Sequence, residues 1–186
     1  MKNDPIQEFI LKSEQNLRIA DAVGESWVKA REHLADGFLD RLEARLKKKL
    51  KGWEYCRFGS FFIEQWPGYY FWKPAWKDKY SIALQCGDYG KCVSYGIGRE
   101  TNNIRKQPLR EELLIAIQKL HPSAKSQVWW EAQVTMRSPA SDWRKPDVLW
   151  RMKTDDKFLE DVAEQLLAVV KIGEPIIDKL MRKYRK

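Results

Sequence analysis

WEYCRFGSFFIEQWPGYYFWKPAWKDKYSIALQCGDYGKCVSYGIG, residues 53–98, is the stretch whose reading decides the fold. It is dense in aromatics and punctuated by Gly and Pro at turn-like intervals, the pattern of an antiparallel meander. Residues Tyr80, Ile82, Leu84 and Cys86 alternate, so they share one face of a strand. Gly87-Asp88-Tyr89-Gly90 forms a hairpin loop, and residues 91–97 return. Upstream, the reading places strands over 53–58 and 61–66, with a turn at Pro67-Gly68 and a short run over 69–72. Pro74 ends that run or confines it to an edge.

The flanking segments are helical by periodicity. Asp4-Pro5 is a helix start, with a capping side chain and a proline suited to the first turn. Ile6, Phe9, Ile10, Leu17 and Ala20 follow at helical spacing, and Gly24 marks a break or a kink. Trp27, Leu34, Phe38, Leu42, Leu46 and Leu50 then recur in steps of about four, broken only by Arg31, the mark of an amphipathic helix. Gly52 stops it after a Lys-rich last turn. Downstream, Pro108 opens a helix that His121-Pro122 ends. Residues 127–136 read as a strand, and 147–152 as another. Thr154 caps a final helix whose apolar face includes Phe158, Val162, Leu166 and Val169, with Gly173 and Pro175 kinking or interrupting it.

These elements give an α+β fold. A meander sheet of five to six antiparallel strands is packed by the C-terminal helix, with a long helical segment in front. Residues 1–52 form the helical segment and 53–186 the α+β unit, the two suiting one body of 186 residues. The chain is too rich in Trp, Tyr and Phe (9, 7 and 7) for disorder. Those rings either build a Trp-rich core or supply a flat recognition surface.

The formal net charge is +8. That balance favours acidic partners: nucleic acid, an acidic protein face or a nucleoprotein complex. Two clusters stand out. Residues 45–51 read RLKKKLK and hold no acid, and the last eight residues hold five cations and no acid. Lys47, Lys48, Lys49, Arg182, Lys183 and Arg185 are the charge candidates, to lie along a phosphate backbone or to complement helix dipoles. Trp72, Trp76 and Trp143 are the candidates for stacking or partner contact. Three cysteines fit a reducing compartment and no disulfide framework, so cytoplasmic residence is expected. No apolar run approaches bilayer length, and no membrane association is expected. The N-terminus lacks the apolar block of a signal peptide. The N-terminal helices could pair with a second copy.

Catalytic constellations are thin. His33 and His121 lie far apart, and Cys86 and Cys92, flanking the hairpin loop, would need Cys56 to approach a zinc set. No base stands near a cysteine to activate it. Pro146-Asp147 followed by Asp155-Asp156-Lys157 spells PD and then DxK, and Glu131 lies on a Trp-bearing strand. If those acids converged they could hold Mg2+ for hydrolysis of a phosphodiester. The spacing does not bring them together, since Asp155 and Lys157 fall at a helix start.

The order of segments over residues 25–182 resembles a known arrangement. A long helix, the meander with YSIALQCGDYGKCVSYGIGRE, a helix, a Trp-bearing strand and the final helix FLEDVAEQLLAVVKIGEPIIDKLM follow one another. This resembles the region after the catalytic core in PD-(D/E)XK nuclease-superfamily proteins of bacterial defence and prophage loci. The resemblance implies a detached accessory module or a small phage or mobile-element protein, not an active nuclease, and it carries over no functional residue. Three functions follow from the sequence. The first is a non-enzymatic protein that docks nucleic acid or a nucleoprotein machine. The second is a divergent nuclease using Asp147, Asp155, Lys157 or Glu131. The third is a protein-directed inhibitor or antitoxin-like partner.

Overall fold

Apolar faces that recur at helix and strand periods must find one another, and here they meet across a single sheet. The computed structural model describes residues 4–99 and 111–184, with side chains to residue 182. The helices are α1 (Pro5–Leu11), α2 (Glu14–Lys49), α3 (Glu111–Gln118), α4 (Pro146–Thr154) and α5 (Asp156–Tyr184). The strands are β1 (Glu54–Phe58), β2 (Gly68–Trp72), β3 (Tyr80–Gly87), β4 (Cys92–Arg99), β5 (Lys125–Gln127) and β6 (Trp130–Thr135). They form one antiparallel sheet in the order β1-β2-β3-β4-β6-β5. The α+β fold with a six-stranded antiparallel sheet expected from the sequence is therefore the fold, β1 to β4 in meander order and β5 at the edge beyond β6.

The β3–β4 hairpin pairs Ile82 with Ile97, Leu84 with Tyr95 and Cys86 with Val93. These side chains belong to the face that the helices cover. The opposite positions on the same strands are small or polar: Ser81 and Ala83 on β3 stand beside Gly98 and Gly96 on β4. Gly96 is required there. Its φ is +152°, and an added Cβ would sit 2.0 Å from the Ala132 carbonyl oxygen on β6.

Helix α5 lies across β3 and β4, burying Phe158, Val162, Ala163, Leu166, Val169, Val170 and Ile177. Gly173 and Pro175 do not interrupt it, because α5 runs through both. At Gly173 the helix lies close on the sheet: a Cβ there would approach Ile97 Cδ1 to 2.7 Å. Pro175 is on the exposed side. Gly24 does not break α2 either. The lower half of α2 packs on α4 and α5 through Ala35, Phe38, Leu39, Leu42 and Leu46, all buried. The helical segment and the sheet thus share one core.

Two expected strands are not strands. Residues 61–66 form turns, and Phe61 stacks on Trp143 with ring centroids 5.1 Å apart. A buried partner ring outweighs strand propensity there. Residues 147–152 lie in α4, where Val148, Leu149 and Met152 are buried at helical spacing. Thr154 closes α4 rather than capping α5. The cap of α5 is Asp155, whose carboxylate accepts from the Phe158 N–H at 3.0 Å. The expected strand over 127–136 is a hairpin, β5 and β6 joined at Val128-Trp129. The helix start at Pro108 lies outside the described residues. On this packing, Gly173→Leu should lower stability by about 1–3 kcal/mol in urea unfolding, because the side chain overfills the α5–β4 contact.

Candidate functional site

The two cationic clusters are built differently. In α2, Leu42 and Leu46 face the core, and Arg45, Lys47, Lys48 and Lys49 are exposed. Arg45 pairs with Glu160 on α5. Lys47 pairs with Glu43 one turn earlier at 2.6 Å, and its ammonium lies 5.3 Å from the Tyr55 ring centre. Lys48, Lys49 and Lys51 are exposed and have no acid partner among the described residues. The helix stops just beyond, at Leu50 and at Gly52 with φ +75°. Three ammonium groups without an acid partner among the described residues therefore lie at the C-terminal end of α2.

At the other end, Arg182 is exposed and its Nε donates to the Asp178 carbonyl at 3.3 Å. Lys179 is exposed as well. Lys183 is in the last turn of α5, but its side chain, like all of Arg185, lies outside the described residues. The pairs Arg41–Asp156 and Arg45–Glu160 show that α2 and α5 run parallel. Lys49 therefore stands near the level of Glu164, about 27 Å along the axis from Arg182. These are two patches, not one.

The aromatic candidates need correction. Trp76 and Trp143 are both fully buried, so neither offers a stacking face. Trp143 fills the space between Phe61 and Phe38. Trp76 packs edge-on against Trp53 at 5.0 Å and donates its indole N–H to Asp178 at 2.7 Å. Trp72 is half-buried, with its indole N–H given to Glu54 at 2.9 Å. The exposed tryptophans are others: Trp27, Trp66, Trp129 and Trp150. Trp150 projects from α4, and the Lys153 ammonium lies 5.7 Å from its ring centre. Reading 147–152 as a helix would have found it, since Val148, Leu149 and Met152 leave Trp150 on the outer side. The Trp129-Trp130 pair divides as alternation demands, Trp130 buried and Trp129 exposed.

The acids of the nuclease reading are not brought together. Asp147 is in the first turn of α4, and Asp155 is at its far end, about 12 Å along the axis. Asp155 accepts from Arg151 Nε at 2.9 Å and is held below the usual carboxylate range by that bond. Lys157 pairs with Asp161 at 2.7 Å on the outer face of α5. Glu131 is buried on β6, with its carboxylate 3.9 Å from Arg99 on the neighbouring strand. Among the described residues, no three His, Cys, Asp or Glu side chains gather as a metal site. The residues present thus do not fit the Mg2+ that the nuclease alternative implies.

The thiols do not oppose one another either. Cys86 pairs with Val93 and Cys92 with Gly87, and Cys86 is buried while Cys92 is exposed. Burial pushes the Cys86 thiol up to about 12, which leaves it without nucleophilic character. His121 sits near Tyr95, and its pKa is lowered by burial and by Arg137. No helix among the described residues is long and apolar enough to cross a membrane.

The chain matches no protein-family model, no curated protein and no solved structure.

Between the patches, Lys73 binds both Glu174 and Asp178, at 2.5 and 2.6 Å. Burial alone would raise the Asp178 carboxyl, but the bonds from Lys73 and Trp76 outweigh it and hold it low. A carboxylate lowered in the folded state stabilises above its unfolded pKa and loses that contribution as pH falls through the folded value. Asp178→Asn should therefore flatten part of the stability loss seen below about pH 4. Asp178→Ala should cost about 1–3 kcal/mol at neutral pH by leaving the buried Trp76 N–H without its acceptor. Chemical denaturation across a pH series reads both.

Proposed function

We propose that this protein is a non-enzymatic binding protein whose basic body docks nucleic acid or a nucleoprotein assembly. The observation that carries the reading is the corner at Lys48, Lys49 and Lys51, three exposed ammonium groups with no acid partner among the described residues. Elsewhere many cations are already spent on neighbours, as Arg18, Arg57, Lys73, Arg144 and Arg151 are. Free ammonium groups side by side release counterions when they meet phosphates, which supplies affinity without sequence preference. The wider field agrees: residues 35–186 hold 29 Lys and Arg against 20 Asp and Glu.

Stacking belongs to the exposed rings. Trp150 beside Lys153 joins a flat aromatic face to a cation, the pairing that single strands exploit. Arg182 and Lys179 form the second contact, at the far end of α5.

Labelled single- and double-stranded oligonucleotides, followed by fluorescence anisotropy over a salt series, test this. Reversing Lys48, Lys49 and Lys51 to Glu should weaken binding at least about tenfold and reduce the salt slope by about 3. Trp150→Ala should weaken single-strand binding by about 1–3 kcal/mol with little change in the slope. Affinity that is unchanged in the triple variant and insensitive to salt would remove the electrostatic reading.

A further inference from the structure

The upper part of α2 and the short helix before it put no fully buried side chain into the core, and Leu34 is the first to pack against it. No residue between Pro5 and Leu34 is buried, and the first buried position is Ala35. Residues 14–30 therefore project from the body by about 25 Å. The short helix α1 is tied to this arm by the Asn16 side chain, which donates to the Phe9 carbonyl at 2.7 Å. The root of the arm is firm. Arg31 packs on the rings of Trp27 and Phe62, and Glu32 accepts from the Phe62 N–H at 2.8 Å.

A projecting helix stabilised only by its own hydrogen bonds is expected to be polar all round. This one is not. Ile19, Val23 and Trp27 recur in steps of four along one side, and all are exposed. Ile6 and Phe9 on α1 are exposed too, whereas Leu17, also exposed, lies on the far side of α2 with Glu14 and Asp21. The acids Glu14, Asp21 and Glu25 fall on the opposite side of α2. Past Arg31, the apolar line continues into Leu34 and Phe38, the stripe that is buried lower down.

We propose that the arm pairs with the arm of a second copy of this chain. The exposed parts of Ile6, Phe9, Ile19, Val23 and Trp27 amount to on the order of 600 Å², about three quarters of the roughly 800 Å² that each partner gives to a standard interface. Monomers rarely leave a contiguous patch of that size in water. A two-fold pairing sets like surfaces together, which suits a line of aliphatic side chains and keeps each copy's acids on the outside. The arms run antiparallel. A parallel partner would meet the first copy's own body, because the apolar line continues into that body's core. Antiparallel arms put the two bodies at opposite ends, leaving the cationic corner of each one free. The pairing does not depend on the nucleic-acid reading.

Sedimentation velocity on the full chain, from about 1 to about 100 µM, tests it. The expected result is a species of twice 22.0 kDa that dissociates on dilution. Val23→Glu combined with Phe9→Glu should give the single mass throughout, with an unchanged circular dichroism spectrum, because both sites are solvent-exposed. Trp150→Glu, on the body, should leave the dimer intact. A wild-type chain that sediments as 22.0 kDa at every concentration overturns the proposal. So does a dimer that survives the double substitution.

Discussion

The close approach of α5 to the β3–β4 hairpin is the contact from which the rest of the structure is suspended. Gly173 lets the helix settle on Ile97, and the apolar side of α5 then covers the centre of the sheet. Once α5 is seated, the lower half of α2 has a surface to bury against, and Arg41 and Arg45 fasten it in parallel register. That register decides which lysines face water. Leu42 and Leu46 turn inward, so Lys48 must turn out, and Lys49 reaches water at the last turn, where the core ends. The cationic corner is thus a consequence of core packing.

The parts of this fold that were legible in the sequence are those where local pattern and tertiary environment agree. The alternation of Tyr80, Ile82, Leu84 and Cys86 located β3, and the Gly-Asp-Tyr-Gly loop located its partner. Asp4 caps α1 as its sequence position demands, accepting from the Ile6 N–H at 2.9 Å. Failures occurred where tertiary contacts overrode a local signal. Phe61 and Phe62 look like strand residues, yet they serve as turn residues that stack on Trp143 and on Arg31. Gly173 and Pro175 look like helix breakers, yet the glycine supplies a close approach and the proline an exposed position. Residues 147–152 are too short a window for alternation to be told from helical period.

The candidate site was legible in its charges and not in its rings. A Lys run with Leu at every fourth position announces an exposed corner. Its partial neutralisation by Glu43 and Glu160 does not show, because one partner is a turn away and the other is 115 residues distant. Trp76 and Trp143 appear as recognition rings only while their surroundings are unknown. The structure spends them on the interior and shows Trp150, Trp129 and Trp66 instead. An acid spelling such as PD and DxK requires convergence to mean chemistry, and here the residues fall at opposite ends of one helix and at the start of the next.

The account rests on a body that holds an acidic partner at its cationic corner and breaks no bond in it. Hydrogen–deuterium exchange on the full chain, with and without a single-stranded oligonucleotide in Mg2+ buffer, tests that most directly when the oligonucleotide is recovered afterwards. The account predicts slower exchange across residues 45–52 and around α4, with the oligonucleotide returned at full length. Unchanged exchange in those segments, or recovery of shortened products that disappear in Asp147→Ala, would contradict it.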